Sequence, residues 1–240
     1  MKNSFSVLGE NLFSRNFGGT SAGIADPYLS GYAFLWPDKL PTGLVDYVAA
    51  NGSSGIATKA EIQNVLAASC LSVTPPGGTL NTVEFTGLGG TKWGVPGNID
   101  YGTTLSAKFL EFTGMPILDI FHNWVKMIRD LRTGVTDLVQ GSDATGYSKK
   151  TYSGMFYYWT TSPDGETVQN YAAYDGVYPS KDPMDLYSFD IENVSKLEVE
   201  IEFHIDKIWH EPWVRTKCEA LASAIGALKS TVKGYGIREM

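Results

Sequence analysis

The clearest pattern along the chain is an alternation. Over residues 196–206, Leu197, Val199, Ile201, Phe203 and Ile205 hold one parity, and Lys196, Glu198, Glu200, Glu202, His204 and Asp206 hold the other. A period of two sends alternate side chains to opposite faces of a strand, so the apolar set is predicted to be buried and the acidic set to face water. Weaker strand patterns run over 28–36, stopped by Pro37, over 70–74, over 79–86 after the turn Pro75-Pro-Gly-Gly78, and over 102–112. Residues 88–102, LGGTKWGVPGNIDYG, carry too many glycines for regular structure and read as a loop. Two aromatic-rich runs, 149–161 and 166–174, flank Ser162-Pro-Asp-Gly165 and read as a β-hairpin long enough to extend past a single compact core.

Helical spacing appears three times. Thr58-Lys-Ala-Glu61 is a capping-box pattern, and Ile62, Val65 and Leu66 behind it mark a short helix near 58–68. Pro116 suits the first turn of a central helix over 116–133, with Ile117, Phe121, Trp124, Val125, Ile128 and Leu131 on one face and Gly134 at its end. From about 213 to 232, Val214, Cys218, Leu221, Ile225, Leu228 and Val232 step by four and three, a narrow seam that docks a helix on another surface. Packing of that helix on its own subunit is placed ahead of a contact between subunits. Residues 1–26 are rich in Gly, Ser and Asn with scattered Phe5, Phe13 and Phe17. They read as an extended arm, either a disordered terminus or a segment that orders on a neighbouring subunit. The expected organisation is an arm (1–26), a β domain (27–212) and a C-terminal helix and tail (213–240). Strand runs without regular βαβ alternation give a mainly β, α+β fold class.

Charge narrows the function. The net charge is −7 and no Lys/Arg cluster is present, which argues against tight nucleic-acid binding. Cys70 and Cys218 stand far apart and outside any CxxC pattern, so a disulfide framework is not expected and the reduced cytosol is the expected place of folding. Asn51-Gly-Ser and Asn193-Val-Ser fit a glycosylation pattern, but the N-terminal residues lack the apolar core of a signal peptide or anchor.

Catalytic signatures are sparse. His122, His204 and His210 have no metal-ligand spacing, so no metal or other cofactor is expected. There is no GxSxG elbow, and the glycines around Leu88-Gly-Gly-Thr are not followed by the Gly-Lys-Ser/Thr of a phosphate-binding loop. Asp175, Asp182 and Asp185 lie in a turn-rich segment and read as turn caps, although two distant carboxylates could also serve a glycosidase.

Four successive elements then carry a resemblance. A lysine-led strand, Tyr147-Ser-Lys-Lys-Thr-Tyr, enters a hairpin that returns into Tyr174-Asp-Gly-Val-Tyr-Pro179. Asp185-Leu-Tyr-Ser-Phe-Asp190 precedes a turn at Ile191-Glu-Asn-Val-Ser195, and the alternating strand ends in Asp206-Lys-Ile-Trp209. In this order they resemble the tail tube proteins of contractile-tailed, myovirus-type bacteriophages over about residues 147–209, with a weaker likeness over about 28–130. The helix carrying Phe121 and Trp124 stands where that family has its barrel-flanking helix. The longer arm, the helix near 58–68 and the C-terminal helix depart from the shorter members.

The resemblance implies a tail-tube-like β-barrel or sandwich subunit that forms hexameric rings stacked into a tube. It implies a sheath protein around the tube, baseplate and terminator proteins at its ends, and DNA passing through without specific binding. It also implies a non-enzymatic virion protein, assembled in the host cytoplasm and without a membrane anchor. Glu198, Glu200 and Glu202 are the candidate lumen-facing acidic residues. Phe5, Phe13, Phe17, Tyr157, Trp159, Leu221, Ile225 and Leu228 are candidate contacts between subunits. Other readings are another tail ring such as a tube initiator or baseplate component, a carbohydrate-binding β module using Phe156-Tyr-Tyr-Trp159, and a hydrolase.

Overall fold

A computed structural model describes residues 32–87, 90–129, 149–162, 167–186 and 196–233. The predicted N-terminal arm, with Phe5, Phe13 and Phe17, lies outside the described residues, and so does Gly134. The described strands are β1 (Ala33–Lys39), β2 (Cys70–Thr74), β3 (Gly78–Thr86), β4 (Lys92–Tyr101), β5 (Thr104–Leu110), β6 (Gly154–Thr161), β7 (Val168–Pro179), β8 (Glu198–His204) and β9 (Lys207–Trp209). The helices are α1 (Leu44–Asn51), α2 (Lys59–Ser69), α3 (Pro116–Ile128), the short α4 (Lys149–Tyr152) and α5 (Pro212–Lys233). The fold is mainly β with antiparallel pairing throughout, as the strand patterns implied.

Seven strands form one sheet in the order β1-β6-β7-β8-β5-β2, with β9 beside β7. A bulge allows β7 to serve two neighbours. Gly154 pairs with Val177 but Met155 with Asp175, so Gly176 is looped out, at φ +73°. The resulting bend leaves Ala173–Asp175 against β9 and turns Tyr178 and Pro179 onto β8. The sheet curls until its two outer strands, β1 and β2, approach each other, but no ladder joins them among the described residues.

The concave face holds the main core. Leu35, Phe156, Tyr158, Tyr174, Val199, Ile201, Phe203, Leu105 and Phe109 come from the strands; Leu44, Ile62, Ile117, Ile120, Phe121 and Trp124 come from α1, α2 and α3. Phe121 sits 5.3 Å from Phe109 and 5.4 Å from Phe203, centroid to centroid, with the tilted or edge-on geometry that aromatic pairs favour. A second, smaller core lies on the opposite face of β6 and β7, where α5 covers Met155, Tyr157, Trp159 and Ala173 with Val214 and Cys218. The period-two pattern of β8 holds as predicted: Val199, Ile201 and Phe203 are buried while Glu200 and Glu202 are exposed.

Several expectations require correction. Pro37 does not stop β1; it pairs with Phe156, and the register shifts between Pro37 and Lys39. An outer strand tolerates this because the missing N–H can face away from the ladder. Residues 92–101, read as loop, form β4, with its glycines accommodated in a two-stranded ladder against β3. Among the described residues the 149–174 hairpin stays on the core: β6 is buried on both faces, and residues 149–152 are a helical turn. α1 carried no recognised signal.

Local signals did set other boundaries. The Thr58 hydroxyl accepts the Glu61 N–H, and the Glu61 carboxylate accepts the Thr58 N–H, completing the predicted box at the start of α2. α3 has no such cap. Met115 before it is left-handed (φ 52°), and the carboxylate of Glu111 instead accepts the N–H groups of Ile117 and Leu118, each at 3.0 Å.

Candidate assembly surfaces

Three surfaces stand out. The first is the outer, polar face of β2, β5 and β8. Cross-strand pairing sets Lys108 opposite Glu200 and Ser106 opposite Glu202, with Thr74 opposite Ser106 on the far side. Glu198 is held by Lys108 and Lys196, both in salt bridges with it, and these two ammonium groups pull its carboxyl down to about 2. The hydroxyl of Ser106 donates to Glu200 at 2.5 Å. Two of the three predicted acidic residues, Glu200 and Glu202, are exposed, with Glu200 across from Lys108, while Glu198 is charge-compensated by two lysines. Like charges on one strand face are tolerated here because Lys108 and Lys196 offset part of the repulsion.

The second surface is the β3–β4 hairpin. It forms its own two-stranded sheet, and nearly all its residues are exposed. Phe85 pairs with Trp93 and Val83 with Val95 near its tip; Leu80 pairs with Ile99 near its base, beside Tyr101. All seven are large apolar side chains in water, with Trp93 61% and Tyr101 63% exposed. An isolated two-stranded hairpin is marginal in water, and exposed apolar residues on this scale mark a candidate interaction surface. The sequence signal was present in the alternation of 79–86 but was lost in the glycines of its partner strand.

The third is the outer edge of the curled sheet. At β1 the edge is partly covered: the Gln63 side chain of α2 donates to the carbonyls of Pro37 (2.6 Å) and Asp38 (3.1 Å). Such a side-chain cap lowers the tendency of an outer strand to pair with another chain.

The other candidate residues are placed differently. Tyr157 and Trp159 are buried within the subunit beneath α5, with Phe34 stacked 5.3 Å from Trp159. This corrects the expectation that both lie on a contact between subunits. The Trp159 indole N–H is buried with no hydrogen-bond partner among the described residues. Leu221, named above as a candidate contact between subunits, packs partly buried against the same core of its own chain. The side chains of Ile225 and Leu228 lie outside the described set.

The titratable groups raised by the sequence are engaged locally. His122 Nδ1 is 3.0 Å from Asp182, His204 Nε2 is 3.3 Å from Asp206, and His210 Nδ1 is 3.0 Å from the Tyr171 carbonyl. Asp175 and Asp182 accept backbone N–H groups of Gly176 and Met184, the turn-capping role expected of them. Among the described residues no three His, Cys, Asp or Glu side chains gather as a metal-ligand group, and no helix is long and apolar enough to cross a membrane.

No protein-family model matches the chain, and no curated protein matches it. Among solved structures it is similar to the sheath/tube terminator of an extracellular contractile injection system (PVC) in its extended state. That likeness has 12% identity and a TM-score of 0.41, over 78% of this chain and 98% of the other. It is also similar to a chain of the anti-feeding prophage baseplate, with 11% identity and a TM-score of 0.45 over 77% and 95%. A chain of the anti-feeding prophage tube-terminating cap gives 12% and 0.41 over 78% and 97%.

Proposed function

We propose that this chain is a structural subunit of a contractile tail that assembles as hexameric rings of the inner tube. The observation that carries the reading is the β3–β4 hairpin: a subunit with two well-packed cores sends a strand pair with seven bare apolar side chains into water. Such a surface is stable in solution only when another protein covers it. The resemblance over 147–209 supplies the kind of assembly, copies of one subunit around an axis. In this reading the outer face of β2, β5 and β8 lines the channel. Glu200 and Glu202 then repel DNA phosphates and limit sticking. Sheath, baseplate and terminator proteins are its partners in the virion tail, and the role needs no catalysis.

The carbohydrate-module reading loses its motivation, because Phe156, Tyr157, Tyr158 and Trp159 are all buried and no longer available to stack on a sugar. The deciding experiment is negative-stain microscopy of the concentrated full chain. Rings or hollow rods are expected; single rings that never stack would assign it to an end of the tube or the baseplate, and a persistent monomer would overturn the reading.

A further inference from the structure

Asn51-Gly-Ser53, which fits a glycosylation pattern, also holds the only Asn-Gly pair of the sequence. Asparagine before glycine is chemically labile, because no Cβ hinders approach of the next amide nitrogen to the side-chain carbonyl. The fold places this pair at a helix end. Asn51 is the last residue of α1 and is exposed, and Gly52 caps the helix in an extended conformation, φ −76° and ψ 158°. Both reacting groups are engaged. The Gly52 N–H donates to the Val48 carbonyl at 2.7 Å, and Asn51 Nδ2 donates to the Tyr47 carbonyl at 3.0 Å. The next two amides, of Ser53 and Ser54, donate to the Asp119 carboxylate of α3 at 2.6 and 2.5 Å. This packing requires glycine at 52, since a Cβ there would lie 2.5 Å from the Val48 oxygen and 3.0 Å from Asp119 Oδ2.

We infer that Asn51 is a deamidation site, gated by the last turn of α1 and by the Asp119 clamp beyond it. The turn opens without uncovering the core: Leu44 and Val48 are the buried residues of α1, while Ala49, Ala50 and Asn51 are exposed. A helix of eight residues also has little stability of its own. On opening, the Gly52 amide nitrogen gives up its proton and attacks Asn51 Cγ. The N–Cγ bond forms, the Cγ–Nδ2 bond breaks, and Nδ2 leaves as ammonia with the proton. Water then opens the succinimide ring at either carbonyl, giving aspartate or isoaspartate. Neither product holds the turn as Asn51 does. A carboxylate cannot donate to the Tyr47 carbonyl, and it adds negative charge at the negative end of the helix. Isoaspartate also lengthens the main chain by a carbon and so displaces Ser53 and Ser54 from Asp119. Modification therefore loosens the contact between α1 and α3.

The test incubates the full chain at mildly alkaline pH, native and in guanidinium chloride, and follows Asn51 by peptide mapping and mass spectrometry. Asn51 should convert in both, at least about tenfold more slowly in the native chain, because two hydrogen bonds must open first. Asp119→Ala should speed native conversion at least about fivefold, through loss of a charged acceptor, and leave the rate in denaturant unchanged. Thermal melting confirms that this variant is folded; if it is not, Asp119→Asn takes its place with the same expected direction. Asn51→Asp, the product made directly, should melt below the parent. An Asn51 that converts in denaturant but stays intact in the native chain would overturn the site. Equal native and denatured rates would overturn the gate, and a folded Asp119 variant converting at the parental rate would overturn the clamp.

Discussion

The carboxylate of Glu111 caps helix α3 from outside it, Oε2 accepting the Leu118 N–H at 3.0 Å while Oε1 accepts that of Ile117. Two orphan donors at a helix start are satisfied by one charged acceptor placed at the positive end of the helix dipole. Replacing Glu111 with alanine is expected to cost about 1 kcal/mol. Urea denaturation should show a lower midpoint with an unchanged slope; an unaltered midpoint would mean that the cap contributes nothing in solution.

Phe121 is a sharper test of the core. It is fully buried between Phe109 and Phe203 and stacks 6.3 Å from Trp124. Phe121→Ala should destabilise the domain by roughly 3–5 kcal/mol. Calorimetry should register a large fall in melting temperature.

Glu198 gives a pH prediction. Lys108 and Lys196 hold its carboxyl at about 2 in the folded chain, below the unfolded value of about 4.3. A lowered carboxyl favours folding above the unfolded value, and that contribution is lost as pH falls from there through about 2. Carboxyl-resolved NMR should find the Glu198 midpoint near 2, and Lys108→Met should move it upward; a midpoint in the ordinary glutamate range would contradict the double salt bridge.

Cys218 is buried on the inner face of α5, and burial raises its thiol to about 12. The reactive thiolate is therefore scarce at pH 8. A disulfide exchange reagent should label Cys218 only in denaturant. Rapid labelling of the native chain would mean that α5 leaves its groove readily.

Gly176 occupies a left-handed conformation with no room for a side chain: a Cβ there would lie 2.3 Å from the Asp206 carboxylate, which also pairs with Lys149. Gly176→Ala combines backbone strain with displacement of that pair and should cost more than about 1 kcal/mol. Equilibrium unfolding checks it, and a neutral result would show that the bulge relaxes.

Local rules in the sequence determined β8, α3 as far as Ile128, the capping box of α2 and the Val214–Cys218–Leu221 part of the α5 seam: alternate or every-third-and-fourth residues share a buried face, and Thr58 and Glu61 exchange hydrogen bonds three residues apart. Tertiary structure decided the rest. The glycine-rich 92–101 segment became a strand because β3 supplied a partner ladder, which no local pattern reports. Tyr157 and Trp159 became core because α5, more than fifty residues later, lies over them; one sequence of aromatics reads equally well as surface or interior until its covering element is known. The faces of β3–β4 were likewise undetermined, since the side that a hairpin exposes depends on what it does not touch.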